Sequence, residues 1–128
     1  QQYNLISRES ELEAFQVCKT EGLGVLPWSP LKQGILTGKL QRGVKPTEGR
    51  AAWATKIPSL SDLSDRTFDI IDVAEDIGKK HGKSVPQVAI RWLLQKDVVS
   101  SVIIGARTLT QLDSNMGAAS GWSLTKEE

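Results

Sequence analysis

The stretch Val98-Val99-Ser100-Ser101-Val102-Ile103-Ile104-Gly105-Ala106-Arg107-Thr108-Leu109-Thr110-Gln111 carries the reading of the fold. Val98 to Ile104 is a β-branched, apolar run of strand length, with charge before it and Gly105 after it, which suits a parallel strand buried on both faces. Thr108 with Gln111 then forms a capping-box pattern that opens a helix through Leu112, Met116 and Ala119. A strand that stops at glycine and yields to a helix three residues later is the repeating joint of a parallel α/β fold.

Working back toward the start, Ser84 with Gln87 makes a second capping box with Pro86 in the first turn. Val85, Val88, Ala89, Trp92 and Leu93 line one face of the helix that follows, the clearest amphipathic helix in the chain. Before it, Phe68, Ile71, Ala74 and Ile77 recur at helical spacing and Gly78, His81 and Gly82 end that run. From Gly34 to Leu63 there is no sustained periodicity, and Gly34, Gly38, Gly43, Pro46, Gly49 and Pro58 punctuate it. A segment of this length without its own pattern reads as a functional lid or a disordered segment.

Val25 to Ser29 is a further short strand, ended by Pro27 and Pro30 because proline cannot donate to a ladder. Ahead of it, Ser10 with Glu13 predicts the cap of a helix striped by Leu12, Phe15 and Cys18 and stopped by Gly22 and Gly24. Gln2 to Ile6 reads as the tail of an extended segment. The order is strand, helix, strand, lid, two helices, strand, helix, which predicts an α/β fold. An eight-stranded (β/α)8 TIM barrel typically takes about 250 residues, so 128 residues with some three strands predict a portion of such a barrel.

Composition narrows the function. Sixteen Lys and Arg against 15 Asp and Glu leave a net charge of +1, so the chain lacks the electrostatic footprint of a nucleic-acid or anionic-lipid binder. The single cysteine, Cys18, excludes an intrachain disulfide framework and fits a reducing compartment. No apolar run approaches the roughly 20 residues of a membrane helix, and a cytoplasmic protein with a small-molecule partner is expected. No metal-ligand cluster and no nucleophile with its base at recognisable spacing is visible.

Two stretches carry candidate chemistry, each at the end of a predicted strand, where ligands bind in parallel α/β folds. In Trp28-Ser29-Pro30-Leu31-Lys32-Gln33-Gly34-Ile35-Leu36-Thr37-Gly38-Lys39, a glycine-punctuated turn lets backbone amides approach a phosphate while Ser29, Lys39 and Arg50 supply a hydroxyl and charge. The same residues equally describe ordinary turns with solvated cations. In the second stretch the helix start after Gly105 is an anion site, and Arg107 stands where its fork grips a phosphate. Gln111 and Asn115, four residues apart, share a face suited to an adenine edge or ribose; alternatively Gln111 only caps the helix and Asn115 is solvated. Tyr3 is either a core residue or a stacking platform.

Together, Gln2-Tyr3-Asn4-Leu5-Ile6-Ser7-Arg8-Glu9, Trp28-Ser29-Pro30-Leu31, Gly34-Ile35-Leu36-Thr37-Gly38-Lys39 and Ile104-Gly105-Ala106-Arg107 resemble the C-terminal motifs of the aldo-keto reductases. The branch with potassium-channel β-subunits and aflatoxin-aldehyde-reductase-like enzymes is the most similar. The resemblance covers nearly the whole chain. It implies one unit over residues 1–128, the C-terminal half of a (β/α)8 barrel with residues 34–63 as a lid over NADP (NADPH). It further implies stacking of Tyr3 on the nicotinamide, and Trp28, Ser29, Pro30, Leu31 and Gln33 around the pyrophosphate. Lys39 and Arg50 would lie on the lid, with Gly105, Arg107, Gln111 and Asn115 around the adenosine 2′-phosphate and adenine.

The family's catalytic aspartate, tyrosine, lysine and histidine precede the first of these motifs, so no residue of this chain is assigned to catalysis. The expectation is a fragment that supplies the cofactor end of a carbonyl reductase and depends on a missing half-barrel. The competing expectation is a non-catalytic module that pairs with itself or with a partner through its open edges.

Overall fold

Three extended segments lie side by side in the computed structural model, which describes residues 1–47, 49–54, 56–57 and 63–128. Trp28 N–H donates to Gln1 O at 3.0 Å and Tyr3 N–H to Trp28 O at 3.3 Å. On the other flank Val25 N–H donates to Val98 O at 2.8 Å, Ser100 N–H to Val25 O at 3.0 Å and Ile103 N–H to Pro27 O at 2.9 Å. Both pairings are parallel, with bridges at Gln2–Trp28 and Val25–Val99. The segment 25–28 is therefore the middle of three, flanked by 1–3 and 98–103.

The predicted continuous strands are corrected here: among the described residues the segments meet only as isolated bridges. Pro27 has no N–H to give the ladder, and each segment offers only a few residues, so regular pairing never propagates. The expectation that Val98 to Ile104 is covered on both faces is also corrected, since Val98 is buried but Ile103 is 53% exposed.

Helices supply most of the regular structure. A 3-10 turn at Glu9–Glu11 leads into α1, Ala14–Thr20. The predicted Ser10–Glu13 capping box does not form: the Ser10 hydroxyl lies 3.4 Å from Gln1 Oε1 and Gln2 O, and α1 begins only after Glu13. Accordingly Phe15 is buried but Leu12 is exposed, and Cys18 is half-buried. A kinked 3-10 segment at Lys32–Thr37 follows, then α2 at Gly49–Ala54, so the lid contains a short helix that no periodicity announced. Pro58 and part of the expected 34–63 lid lie outside the described residues.

Helices α3, Asp65–His81, and α4, Val85–Leu94, follow the pattern of the sequence. Phe68, Ile71, Ala74 and Ile77 are all buried on α3, and Gly82 ends that helix at φ 63°, a left-handed angle that glycine adopts without penalty. At the start of α4, Gln87 Oε1 accepts from Ser84 N–H at 2.9 Å, as a capping box requires. Phe68 and Ile71 join Ile35, Leu36 and Ala89 in one cluster; Ala74 and Ile77 join Val85, Val88 and Leu124 in another. A third cluster of Tyr3, Phe15, Val25, Leu93 and Val98 packs α1 and α4 on the extended segments. Each large side chain so buried contributes about 1.5–3 kcal/mol.

Helix α5, Leu109–Met116, departs from its predicted stripe. Asn115 is its buried residue, whereas Leu109, Leu112 and Met116 face outward, because no other part of the described chain packs on that side. Among the described residues no helix is long and apolar enough to cross a membrane.

Candidate functional site

The middle segment ends at Trp28 and runs into a turn whose backbone is unusual. Ser29, Lys32 and Gln33 take φ of 58°, 44° and 52°, followed by Gly34 at 98°. Three non-glycine residues in the left-handed region each cost about 1 kcal/mol or more, and such strain collects where the fold needs a particular shape. Within the turn Lys32 N–H donates to Ser29 O at 3.1 Å, Gly34 N–H to Leu31 O at 2.9 Å and Leu36 N–H to Leu31 O at 3.1 Å. Pro30 is buried and Leu31 half-buried against the Ile35 cluster, so these two anchor the turn from below.

Two side chains from the first extended segment hold the turn from outside it. Asn4, fully buried, donates from Nδ2 to Ser29 O at 3.0 Å, while its Oδ1 accepts from Ile6 N–H at 3.0 Å and Ser7 N–H at 2.8 Å. Ser7 Oγ accepts from Lys32 Nζ at 2.6 Å. Lys32 is only 8% exposed, and among the described residues no carboxylate lies within ion-pair distance of it. A buried ammonium with a neutral partner is costly unless a counter-charge arrives. Beside it Gln33 Oε1 is buried without a hydrogen-bond partner. Sequence reasoning missed Asn4, Ser7 and Lys32, because what makes them matter is contact across 25 residues of chain.

Helix α2 packs on this turn. Ala51 N and Arg50 Cβ on α2 lie 3.5 and 3.9 Å from where a side chain on Gly34 would begin. At the first residue of α2, Gly49 takes φ 72°, and the Arg107 guanidinium is 3.9 Å from its would-be Cβ. The turn, the start of α2 and Arg107 are thus brought together. Lys39 is exposed, and Arg42 ties the chain before α2 to α3 through Asp69 and Asp72 at 2.7 and 2.8 Å.

At the start of α5, Gln111 N–H donates to Thr108 Oγ1 at 3.2 Å and Gln111 Oε1 accepts from Arg107 N–H at 2.9 Å. The Gln111 carbonyl therefore caps the helix start. Gly105 is open: a Cβ built there meets nothing within 4 Å. Asn115 is 8% exposed, buried rather than solvated.

Tyr3 sits apart from this group. It is 0% exposed, with Phe15 edge-on at 4.6 Å and Trp92 tilted at 5.2 Å, and its hydroxyl donates to Glu11. Burial, reinforced by the bond to Glu11, pushes the Tyr3 phenol well above its ordinary value. Burial opposes the charge on Glu11, but hydrogen bonds from Arg8 and Tyr3 outweigh it and hold the carboxyl below the usual range. No ring face of Tyr3 is open to a ligand. Trp28, at the mouth of the turn, is 46% exposed. Among the described residues no group of three His, Cys, Asp or Glu is placed to hold a metal ion.

Two cations suit an anion near this turn: Lys32, a buried ammonium with no carboxylate partner among the described residues, and Arg107, which reaches the first residue of α2. The family model described as the aldo/keto reductase family matches residues 1–128. The chain is 39% identical to a probable voltage-gated potassium channel subunit beta of Oryza sativa subsp. japonica, over 91% of this chain and 36% of that one. It is 36% identical to a chloroplastic pyridoxal reductase of Arabidopsis thaliana, over 99% of this chain and 33% of that one. A solved glycerol dehydrogenase from Gluconobacter oxydans superposes with a TM-score of 0.75 at 30% identity, over 98% of this chain and 37% of that one. The chain thus spans about a third of the length of the relatives it matches.

Proposed function

The chain belongs to the aldo/keto reductase family, and from that premise we propose that it is the C-terminal, NADPH-binding part of a (β/α)8 reductase that converts aldehydes or ketones to alcohols. The observation that carries this reading is the convergence of the Ser29–Gly34 turn, the start of α2 and Arg107 on one rim. Phosphate groups are held there by backbone amides of the turn, by Lys32 and by Arg107, with Lys39 and Arg50 closing from the lid. Gly105 leaves the backbone open for close approach. Pro30 and Leu31 contribute through the backbone they fix.

The stacking platform in this reading is Trp28 rather than Tyr3, whose ring is enclosed by Phe15 and Trp92. Gln33 Oε1 accepts from a cofactor donor. Gln111 orders the helix start through its bond to Arg107 N–H, and Asn115 shapes the floor beside it. When bound, a reduced nicotinamide dinucleotide supplies hydride to a carbonyl carbon. This chain orients that cofactor and excludes water from it, while the proton comes from residues outside these 128. The family likeness supports NADPH through the cation at position 107, which matches the charge of a 2′-phosphate.

The test is carbonyl reduction by the full-length protein, followed by loss of NADPH absorbance, beside the 128-residue chain alone. Activity in the first and none in the second is expected. Turnover by the isolated chain contradicts the reading. The outward apolar face of α5, Leu109, Leu112 and Met116 with Ile103, favours a second reading in which the chain is a non-catalytic module that pairs through this face. A stable, inactive dimer of the full-length protein selects that reading.

A further inference from the structure

Asn4, Ser29, Lys32 and Ser7 form a closed ring of hydrogen bonds. Asn4 Nδ2 donates to Ser29 O at 3.0 Å, Lys32 N–H donates to the same oxygen at 3.1 Å, Lys32 Nζ donates to Ser7 Oγ at 2.6 Å, and Ser7 N–H donates to Asn4 Oδ1 at 2.8 Å. Asn4 N–H closes a further link to Ser7 O at 3.1 Å. Asn4, Ser7 and Lys32 are all buried, so water does not compete for these groups. Two ring members, Ser29 and Lys32, hold the left-handed backbone of the turn, and the other two belong to the segment before α1.

We infer that Asn4 and Ser7 are positioning residues that hold the Ser29–Gly34 turn and the Lys32 ammonium in place for a phosphate of the cofactor. The strained angles at Ser29 and Lys32 persist only if something outside the turn over-determines them, and Asn4 does so by adding a donor from another segment to the carbonyl that Lys32 N–H already bonds within the turn. Among the described residues Ser7 leaves the Lys32 ammonium two unused protons and no counter-charge, which is the state an incoming anion neutralises. The ring also ties adjacent extended segments together above the single bridge Gln2–Trp28. This inference rests on the cofactor reading above, and its test separates the two.

The experiment is fluorescence titration of the full-length protein with NADPH, together with turnover at saturating NADPH, for wild type, Asn4→Ala, Ser7→Ala and Ser7→Thr. Asn4→Ala and Ser7→Ala are expected to weaken NADPH about ten-fold while turnover at saturation changes little, because each variant loses a buried hydrogen bond to the turn, Asn4 to Ser29 O or Ser7 to Lys32 Nζ, and none from the chemistry. Ser7→Thr keeps the hydroxyl and restores affinity. A merely structural role lowers the melting temperature of all three variants and leaves the affinity of the folded protein unchanged. Where Asn4→Ala does not fold, the Ser7 pair decides. Wild-type affinity in Ser7→Ala overturns the inference and leaves the cofactor reading standing; a folded wild type that binds no NADPH overturns both.

Discussion

The Arg42 guanidinium bonds Asp72 of α3 at 2.8 Å, and in doing so ties the chain before α2 to that helix. Asp69 joins at 2.7 Å and Asp65 at 3.4 Å, so carboxylates spaced along one face of α3 converge on a single cation between Lys39 and Arg50. The partners are exposed and salt screens them. In the full-length protein Arg42→Ala is expected to speed NADPH release by about two- to five-fold, by analogy with the modest worth of exposed pairs. Stopped-flow dissociation checks this, and raising salt should speed the wild type toward the variant. Identical release rates at low salt contradict a latch.

Exchanging the roles of two aromatic residues gives a sharper contrast. Trp28→Ala should weaken NADPH with little effect on the melting temperature, since the indole is half outside the core. Tyr3→Phe should leave NADPH affinity unchanged and cost about 1–2 kcal/mol of stability, because it removes a bond to the charged Glu11. Urea unfolding and NADPH titration on both variants read the two effects separately.

The same Glu11 sets an acid limit. Its folded value lies below its unfolded one, so its contribution to stability is complete above the unfolded value near pH 4 and is lost as pH falls through the folded one. Glu11→Gln should therefore be less stable at neutral pH and should show a flatter loss of stability below about pH 4. Parallel slopes for variant and wild type exclude Glu11 as a contributor.

Two glycines should behave in opposite ways. A Cβ on Gly78 would lie 2.4 Å from the Lys83 carbonyl oxygen, a backbone atom, so Gly78→Ala is expected to cost about 1–3 kcal/mol with NADPH affinity unaffected in the folded protein. A Cβ on Gly105 meets nothing within 4 Å, so Gly105→Ala should keep the melting temperature and weaken NADPH by filling the approach to the helix start. Thermal unfolding and titration together check both.

Periodic features were legible in the sequence. The α3 and α4 stripes and the Ser84–Gln87 cap depend on neighbours three and four residues apart, and the structure has them. Features decided by distant partners were not legible. Ser10 and Glu13 have the spacing of a cap, yet Ser10 turns to Gln1 and Gln2, and α1 starts late. Gln111 was open between cap and ligand, and its bond to Arg107 N–H places its carbonyl in the cap. Tyr3 and Trp28 are both aromatic beside an extended segment, and only the positions of Phe15 and Trp92 tell the enclosed ring from the open one. Asn4 and Ser7 bond each other locally, but their links to Ser29 and Lys32 cross 25 residues of chain and leave no mark on local spacing.

The most direct test of the account is titration of the full-length protein with NADPH and NADH, before and after Arg107→Ala. Tighter binding of NADPH than NADH is expected in the wild type and loss of that preference in the variant, because the Arg107 guanidinium answers the 2′-phosphate that NADH lacks. Equal loss of both cofactors in the variant, or no binding of either by the folded wild type, contradicts it.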